Sequence, residues 1–484
     1  MPSNISKDSP IILVGAGAFG LSNALHLSEN GYSNITVFDR LNFEANKYTL
    51  LQGADTASAD INKAFRAQYA EKKHYQDLAF LAFEVWQKWD KEIGLLPDDE
   101  AAKYTRLKLI DLCGWLRLDD IDGWEEQASK ESYDSEGLGS LRYDINNPDD
   151  IKRAKAAGYG LKIDLALDYK RNGTVPGLTG AFDSTAGQLY ASRALQYVMY
   201  LCELKGVKFV LGGNKGTFKD YIYNDDSKET VVGVVTKDGK SHHADLVVIN
   251  CGPWSTELIP ELDGINEATS GNILIAKVPD DRKDLKVKYS PEHFPIFSWK
   301  NGHSREHEHS GFIFPLVEPE GYLKIGIRQT KYTNPVKLDN GRVVSIPKTS
   351  NSDPPFTLLT KHIVNQAKEF LQTFFPDLLE LDWESRILWY TDTINNDYIY
   401  DFVPKKSGLF VACGGSGHAF KMLPVLGQFL VDKLEGRENF YTELFSWNSH
   451  ENFDKDPNGL KEGLNGPRVY DKQVLSVKDD YKFA

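Results

Sequence analysis

Gly15, Gly17 and Gly20 form a G-x-G-x-x-G that follows the apolar run PIILV and opens a helical pattern, LSNALHLSEN. In such a unit the first glycine permits a tight turn. The second lets backbone approach a pyrophosphate, and the third lets helix pack on strand. The helix N-terminus adds partial positive charge where the phosphates would lie. The next run, NITVFDR, finishes in Asp39, where a carboxylate accepts from a ribose hydroxyl and repels the 2′-phosphate of NADP. Ala18, Phe19 and Arg40 flank these positions, and the whole predicts a dinucleotide site.

Three further stretches carry cations. SADINKAFRAQY sets Lys63 and Arg66 three apart, on one face if the segment is helical, for binding an anion or for meeting solvent. GYLKIGIRQT alternates, so Lys324, Gly326 and Arg328 share one strand face while Leu323, Ile325 and Ile327 share the other. The cationic face either lines a site or meets water. VACGGSGHAFKMLPVLGQFL (411–430) reads as a strand, a glycine-rich loop and a helix, the pattern of a second phosphate or cofactor loop. HSREHEH offers His303, His307 and His309, but the surrounding Ser, Arg and Glu predict an exposed loop over a metal site, and no metal is expected. G-x-S-x-G, H-E-x-x-H and P-loop patterns are absent, which leaves hydrolase and kinase readings without footing.

These groups need a scaffold, and 484 residues at 41% hydrophobic composition allow two substantial cores. The net charge of −13 argues against nucleic acid or an anionic membrane as partner. The four cysteines (Cys113, Cys202, Cys251, Cys413) are scattered and predict reduced thiols. No run reaches the ~18–20 apolar residues of a membrane span. The polar start MPSNISKDSP and the final YKFA, which is not of the SKL type, make the cytoplasm the expected compartment, with the peroxisome left open.

Residues 10–39 read as a βαβ unit, 75–92 and 191–206 as helices, and ETVVGVVT and ADLVVIN as strands. The acidic, glycine-rich 116–185 reads as a loop-heavy insertion, and 446–484 as a polar tail with no core of its own. The expected fold is α/β: a Rossmann-like dinucleotide domain assembled from 1–95, 185–265 and 385–445, and a β-rich substrate domain with a mixed sheet from 96–184 and 266–384.

In chain order, GAGAFG, DINKAFRAQY, AGQLYASRA, DLVVINCGPWS, FPLVEPEGYLKIG, WYTDT and GGSGHAFKMLPVLG resemble the FAD-dependent amine oxidases typified by monomeric sarcosine oxidase. That group includes pipecolate oxidase, saccharopine oxidase and the fungal fructosyl amino acid oxidases (amadoriases). The resemblance implies a D-amino acid oxidase-like fold and FAD as cofactor. It implies that Arg66 and Lys421 hold the substrate carboxylate, that Lys63 lies beside the flavin and that Lys324 works with dioxygen. It also places Ser58, Asn62, Cys251, Gly252, Trp254, Gly414, Gly415, Gly417, His418 and Phe420 around the cofactor. The implied reaction oxidises a secondary-amine amino acid to an imine, with reduction of dioxygen to hydrogen peroxide, in a monomer or weak homodimer.

Two departures shape the expectation. Many relatives attach FAD through a cysteine where this chain has Leu388, so the cofactor is expected to be non-covalent. Sarcosine oxidase has a histidine where this chain has Arg328, which suits a bulkier substrate with an extra carboxylate or several hydroxyls. Saccharopine is therefore the favoured substrate, with fructosyl amino acids, pipecolate and sarcosine as alternatives. An FAD dehydrogenase passing electrons to a carrier, or a non-catalytic flavoprotein, are the rivals from other classes.

Overall fold

The computed structural model describes residues 5–97, 107–119, 124–173, 175, 177–301, 309–328, 330–353, 355–453 and 455–484. Ile11–Val14 is buried at every position, as expected of a strand covered on both faces in a parallel sheet. It lies between Ile35–Asp39 and Leu246–Ile249, both parallel to it. Lys208–Leu211 and Leu409–Cys413 extend the sheet in the same sense, and Ile399–Phe402 closes one edge antiparallel. The six strands thus come from widely separated parts of the chain. Helix Ala18–Glu29 packs closely because position 20 is glycine: a Cβ there would lie 1.8 Å from the Gly15 carbonyl oxygen.

The second sheet has eight strands, in the order Trp383–Thr393, Asn266–Lys277, Tyr322–Ile327, His309–Ile313, Ile296–Asn301, Trp115–Asp119, Thr179–Asp183 and Arg142–Asp144. Its alternation separates two faces. Leu116, Leu118, Leu274, Leu323 and Ile325 bury themselves with the helix Lys361–Phe374 in a second core. The opposite face looks towards the first sheet.

Three readings change. The segment 116–185 is no loop-heavy insertion. It supplies three strands of the second sheet and the helices Trp124–Ser135, Pro148–Ala156 and Gly160–Arg171. One of their starts is written locally, since Asn147 accepts from the Asp149 N–H ahead of Pro148. Residues 385–393, expected with the dinucleotide unit, instead pair along their whole length with Asn266–Lys277 in the second sheet. Lys63–Phe65 is a strand against Gly187–Leu189, so Lys63 and Arg66 do not share a helical face. The tail has no core of its own; Tyr470, Tyr481 and Phe483 are buried in the second cluster.

Candidate functional site

A cleft of about 1610 Å³ runs between the two sheets. That exceeds the ~300–1,000 Å³ usual for one small ligand, which fits a dinucleotide and a substrate held together. Gly15, Gly17, Ala18 and Phe19 line it where helix Ala18–Glu29 begins, and Gly20 stands behind them as packing. Asp39 takes the N–H groups of Ala16 and Leu41, each at 2.8 Å. Burial lifts its carboxyl above the ordinary value while those bonds oppose the rise. Arg40 stacks 4.1 Å over the Trp254 ring, and Ser58 accepts from the Ala18 N–H at 3.0 Å. Cys251 and Gly252 complete this end. The Cys251 thiol, driven up by burial, is an inert wall.

At the other end Lys324 is buried. Its Nζ donates to Asp60 Oδ2 at 2.7 Å and to the Asn62 carbonyl at 2.6 Å, and stands 4.3 Å over the Phe314 ring. Lys63 donates to the same Asp60 oxygen at 2.9 Å, and the Ile61 N–H takes the other. Burial raises the Asp60 pKa, but the two ammonium groups outweigh it and hold the carboxylate below its usual range. For Lys324 burial wins over Asp60, and its ammonium pKa falls to about 8. Asn62 itself does not line the cleft: its side chain donates to Gln188 at 3.0 Å, and its contribution is the carbonyl under Lys324.

Gly414, Gly415, Gly417, His418, Phe420 and Lys421 all border the cleft. The helix expected to start within these glycines begins at Leu423, after a loop and a single tight turn at Phe420–Met422 that holds Lys421. Trp86 fixes that turn through the Lys421 carbonyl at 2.8 Å. The Lys421 side chain is buried and donates to the His418 carbonyl at 3.2 Å. Burial, with Arg66 and Arg328 as neighbouring cations, holds its ammonium well below the ordinary range.

Tyr69 organises this group. Lys421 lies 4.7 Å and Arg66 4.8 Å from its ring centroid, so both cations rest on one aromatic quadrupole. His418 Nε2 faces the Asn396 carbonyl at 3.1 Å, which can only accept, so Nδ1 accepts from Tyr69 at 3.2 Å and Tyr398 at 3.0 Å. The imidazole is neutral, its pKa lowered by burial and by Lys421. Arg328 is exposed at the mouth and reaches the Gly417 carbonyl at 3.3 Å.

The cleft thus brings together residues named at both of its ends, among a larger lining that residue reasoning left unnamed. That reasoning assigned nothing to Asp60 and Tyr69, although both stand inside stretches already quoted, because their value lies in which cations they meet across the fold. It also missed Arg117, Asp119 and Lys300 on the second sheet's inner face, where the alternation in WLRLD was a usable signal. His303 and His307 lie outside the described residues, and the strand His309–Ile313 begins the next paired segment.

The pattern of the FAD dependent oxidoreductase family matches residues 10–433. The chain is 26% identical over 441 residues to the L-saccharopine oxidase of Schizosaccharomyces pombe, covering 88% of this chain and 90% of that one. It is 23% identical over 454 residues to the monomeric sarcosine oxidase of an Arthrobacter species, covering 92% and 97%. Among solved structures, a modified fructosyl peptide oxidase from Aspergillus nidulans superposes with a TM-score of 0.75 at 22% identity, over 96% and 99% of the two chains. The fructosamine oxidase Amadoriase II of Aspergillus fumigatus gives 0.70 at 24%, over 98% of each.

Proposed function

We propose, from the premise that the chain belongs to the FAD dependent oxidoreductase family, that it is an oxidase of N-substituted amino acids carrying several carboxylates, with saccharopine as the type substrate. FAD, when bound, would supply the two-electron chemistry that links amine oxidation to reduction of dioxygen to hydrogen peroxide. The chain's own residues bind, orient and neutralise charge.

The observation that carries this reading is the convergence of Arg66, Lys421 and Arg328 around Tyr69 in a cleft wall of a protein whose net charge is −13. A buried ammonium beside the Arg66 and Arg328 guanidinium groups is costly by itself, and a carboxylate relieves that cost. Arg66 and Lys421 take the carboxylate next to the reacting carbon, and Arg328 takes a second one. Charge-assisted bonds of this kind contribute about 1.5–3 kcal/mol each. The same grip orients the C–H to be broken, which lowers the barrier by several kcal/mol. Lys324, held by Asp60 and the Asn62 carbonyl, supplies the positive charge that dioxygen reduction needs. Gly17, the N-terminus of Ala18–Glu29 and Asp39 would hold the pyrophosphate and ribose of FAD.

Leu388, buried in the strand Trp383–Thr393, offers no thiol, so the cofactor is held without a covalent bond. Acid precipitation then leaves a colourless pellet and a yellow supernatant. The function itself is tested by a peroxide-coupled assay of saccharopine, fructosyl-lysine, fructosyl-valine, pipecolate and sarcosine. Saccharopine is expected to give the highest kcat/KM. A higher value with sarcosine or pipecolate, or flavin bleaching without peroxide, overturns the reading.

A further inference from the structure

The turn at residues 393–397 does not itself border the cleft, yet it stands behind residues that do. Asn396 within it has φ +64°, a left-handed backbone that a residue with a Cβ keeps only where its surroundings hold it. Inside the turn the Asn396 N–H donates to the Thr393 carbonyl at 3.2 Å, and the Thr393 hydroxyl donates to the Asp397 carbonyl at 2.7 Å. The C-terminal tail adds ties from outside. The Asn458 amide donates one hydrogen to the Thr393 carbonyl at 2.7 Å and the other to Asn396 Oδ1 at 2.9 Å. Asn395 donates to the Ser449 carbonyl at 3.4 Å, and His450 Nε2 faces the Asp397 carbonyl at 3.2 Å. Asn458 therefore joins the turn's first carbonyl to its left-handed residue.

Two routes lead from this turn to Tyr69, on whose ring Arg66 and Lys421 rest. Along one, the Asn396 carbonyl takes the His418 Nε2–H at 3.1 Å, which leaves Nδ1 to accept from the Tyr69 hydroxyl at 3.2 Å. Along the other, Asp397 Oδ1 accepts from the Tyr75 hydroxyl at 2.9 Å, and the Tyr75 ring stacks on Tyr69 with centroids 5.2 Å apart. One route sets the Tyr69 hydroxyl and the other sets the plane of its ring. Without the Asn458 bonds the turn has less to oppose its strain, and both the Asn396 carbonyl and the Asp397 carboxylate lose their fixed positions.

We infer that Asn458, in a tail segment outside the cleft lining, is a positioning residue for substrate binding: it holds the 393–397 turn, which through His418 and Tyr75 orients Tyr69 beneath Arg66 and Lys421. The tail thereby serves the carboxylate clamp as well as the second core. This inference rests on the reading of Arg66 and Lys421 as that clamp.

The test follows anaerobic bleaching of the flavin by saccharopine and by sarcosine in the FAD-loaded native chain, Asn458→Ala and Asn458→Asp. Aspartate keeps the size of the side chain and removes both donated hydrogens. Both variants are expected to raise the apparent dissociation constant about tenfold, while the limiting rate of bleaching changes by about twofold at most. Reoxidation by dioxygen, served by Lys324, is expected to stay as in the native chain, whereas a general loosening of the protein slows it too. Gln473→Ala, which loses bonds to the Pro467 and Val469 carbonyls within the tail, is expected to leave substrate binding unchanged. In a Tyr69→Leu background Asn458→Ala is expected to add no further rise, because its path to the clamp is gone. Unchanged dissociation constants in both Asn458 variants overturn the inference and leave the oxidase reading standing. So do equal losses in binding and reoxidation, the same rise in Gln473→Ala, or a further rise in the Tyr69→Leu background. A native flavin that neither compound bleaches, with bleaching by a secondary amine lacking a carboxylate, overturns the clamp and this inference together.

Discussion

Lys324 sits where three influences compete: burial, the Asp60 carboxylate and the Lys63 ammonium. Burial wins, and the ammonium gives up its proton near pH 8 instead of at its ordinary 10.5. If the charged form serves dioxygen, flavin reoxidation declines as the pH rises through about 8, while reduction by substrate follows a different profile. Asp60→Asn removes the main influence holding the proton on, so the same decline moves to lower pH. Lys324→Met slows reoxidation about 100-fold or more below pH 8, and by less above it, where the native amine is already neutral. Stopped-flow mixing of substrate-reduced enzyme with oxygenated buffer measures all three. A reoxidation rate indifferent to both substitutions removes the pair from that role. For stability the sign is opposite. The unfolded chain keeps this proton up to about 10.5, so from about pH 8 to there it binds more protons than the native state and the group's unfavourable contribution shrinks with pH.

At the scale of elements, the segment from Leu409–Cys413 to Leu423–Leu434 links the first sheet to the substrate end. Gly417 lies at φ +73° within it, and a Cβ added there would stand 2.5 Å from the Arg328 guanidinium. Gly417→Ala therefore has two separable effects. The left-handed backbone costs about 1–2 kcal/mol for a residue with a Cβ. The guanidinium, being the far end of a flexible side chain, swings away and gives up its hold on the second carboxylate. The expected result is a modest loss of thermal stability and a rise of about tenfold in KM for saccharopine, with a much smaller rise for sarcosine. Equal changes in KM for both substrates would show that Arg328 does not discriminate between them.

At the scale of the molecule, the last residues of the chain seal the second core. Phe483 is 2% exposed and joins Tyr470 and Tyr481 in the cluster built on the sheet's outer face. Arg468 ties the same tail to Glu267 at 3.1 Å and is braced within the tail by Glu462 at 2.9 Å. Phe483→Ala is expected to cost about 3–5 kcal/mol, read as a lower melting temperature of the FAD-loaded protein. A tail that merely rests on the surface would show almost none of that loss. The cleft lining also departs from the chain as a whole: it gathers twelve Lys and Arg against seven Asp and Glu, although the net charge is −13. Anionic ligands are drawn to one place on an otherwise repelling surface, and added salt should weaken saccharopine binding more than sarcosine binding.

Local order along the chain was enough for the βαβ unit, for the glycines that open helix Ala18–Glu29, and for the alternation that puts Lys324 and Arg328 on one side of a strand. Those features depend on neighbours two to four residues apart, whose chemistry is visible in any window of sequence. Tertiary structure decided which face of that strand was the wet one, because an alternating strand has two faces and only the packing of Leu323 and Ile325 into the second core selects between them. It also decided that WESRILWYTDT joins the second sheet and that the acidic 116–185 segment is ordered, since pairing partners lie far away in sequence. Asp60 meets Lys324 across 264 residues, and Tyr69 meets His418 across 349. Each pair depends on how two sheets face one cleft, so the charge, pKa and orientation of the candidate site belong to the fold, while its inventory of side chains belongs to the sequence.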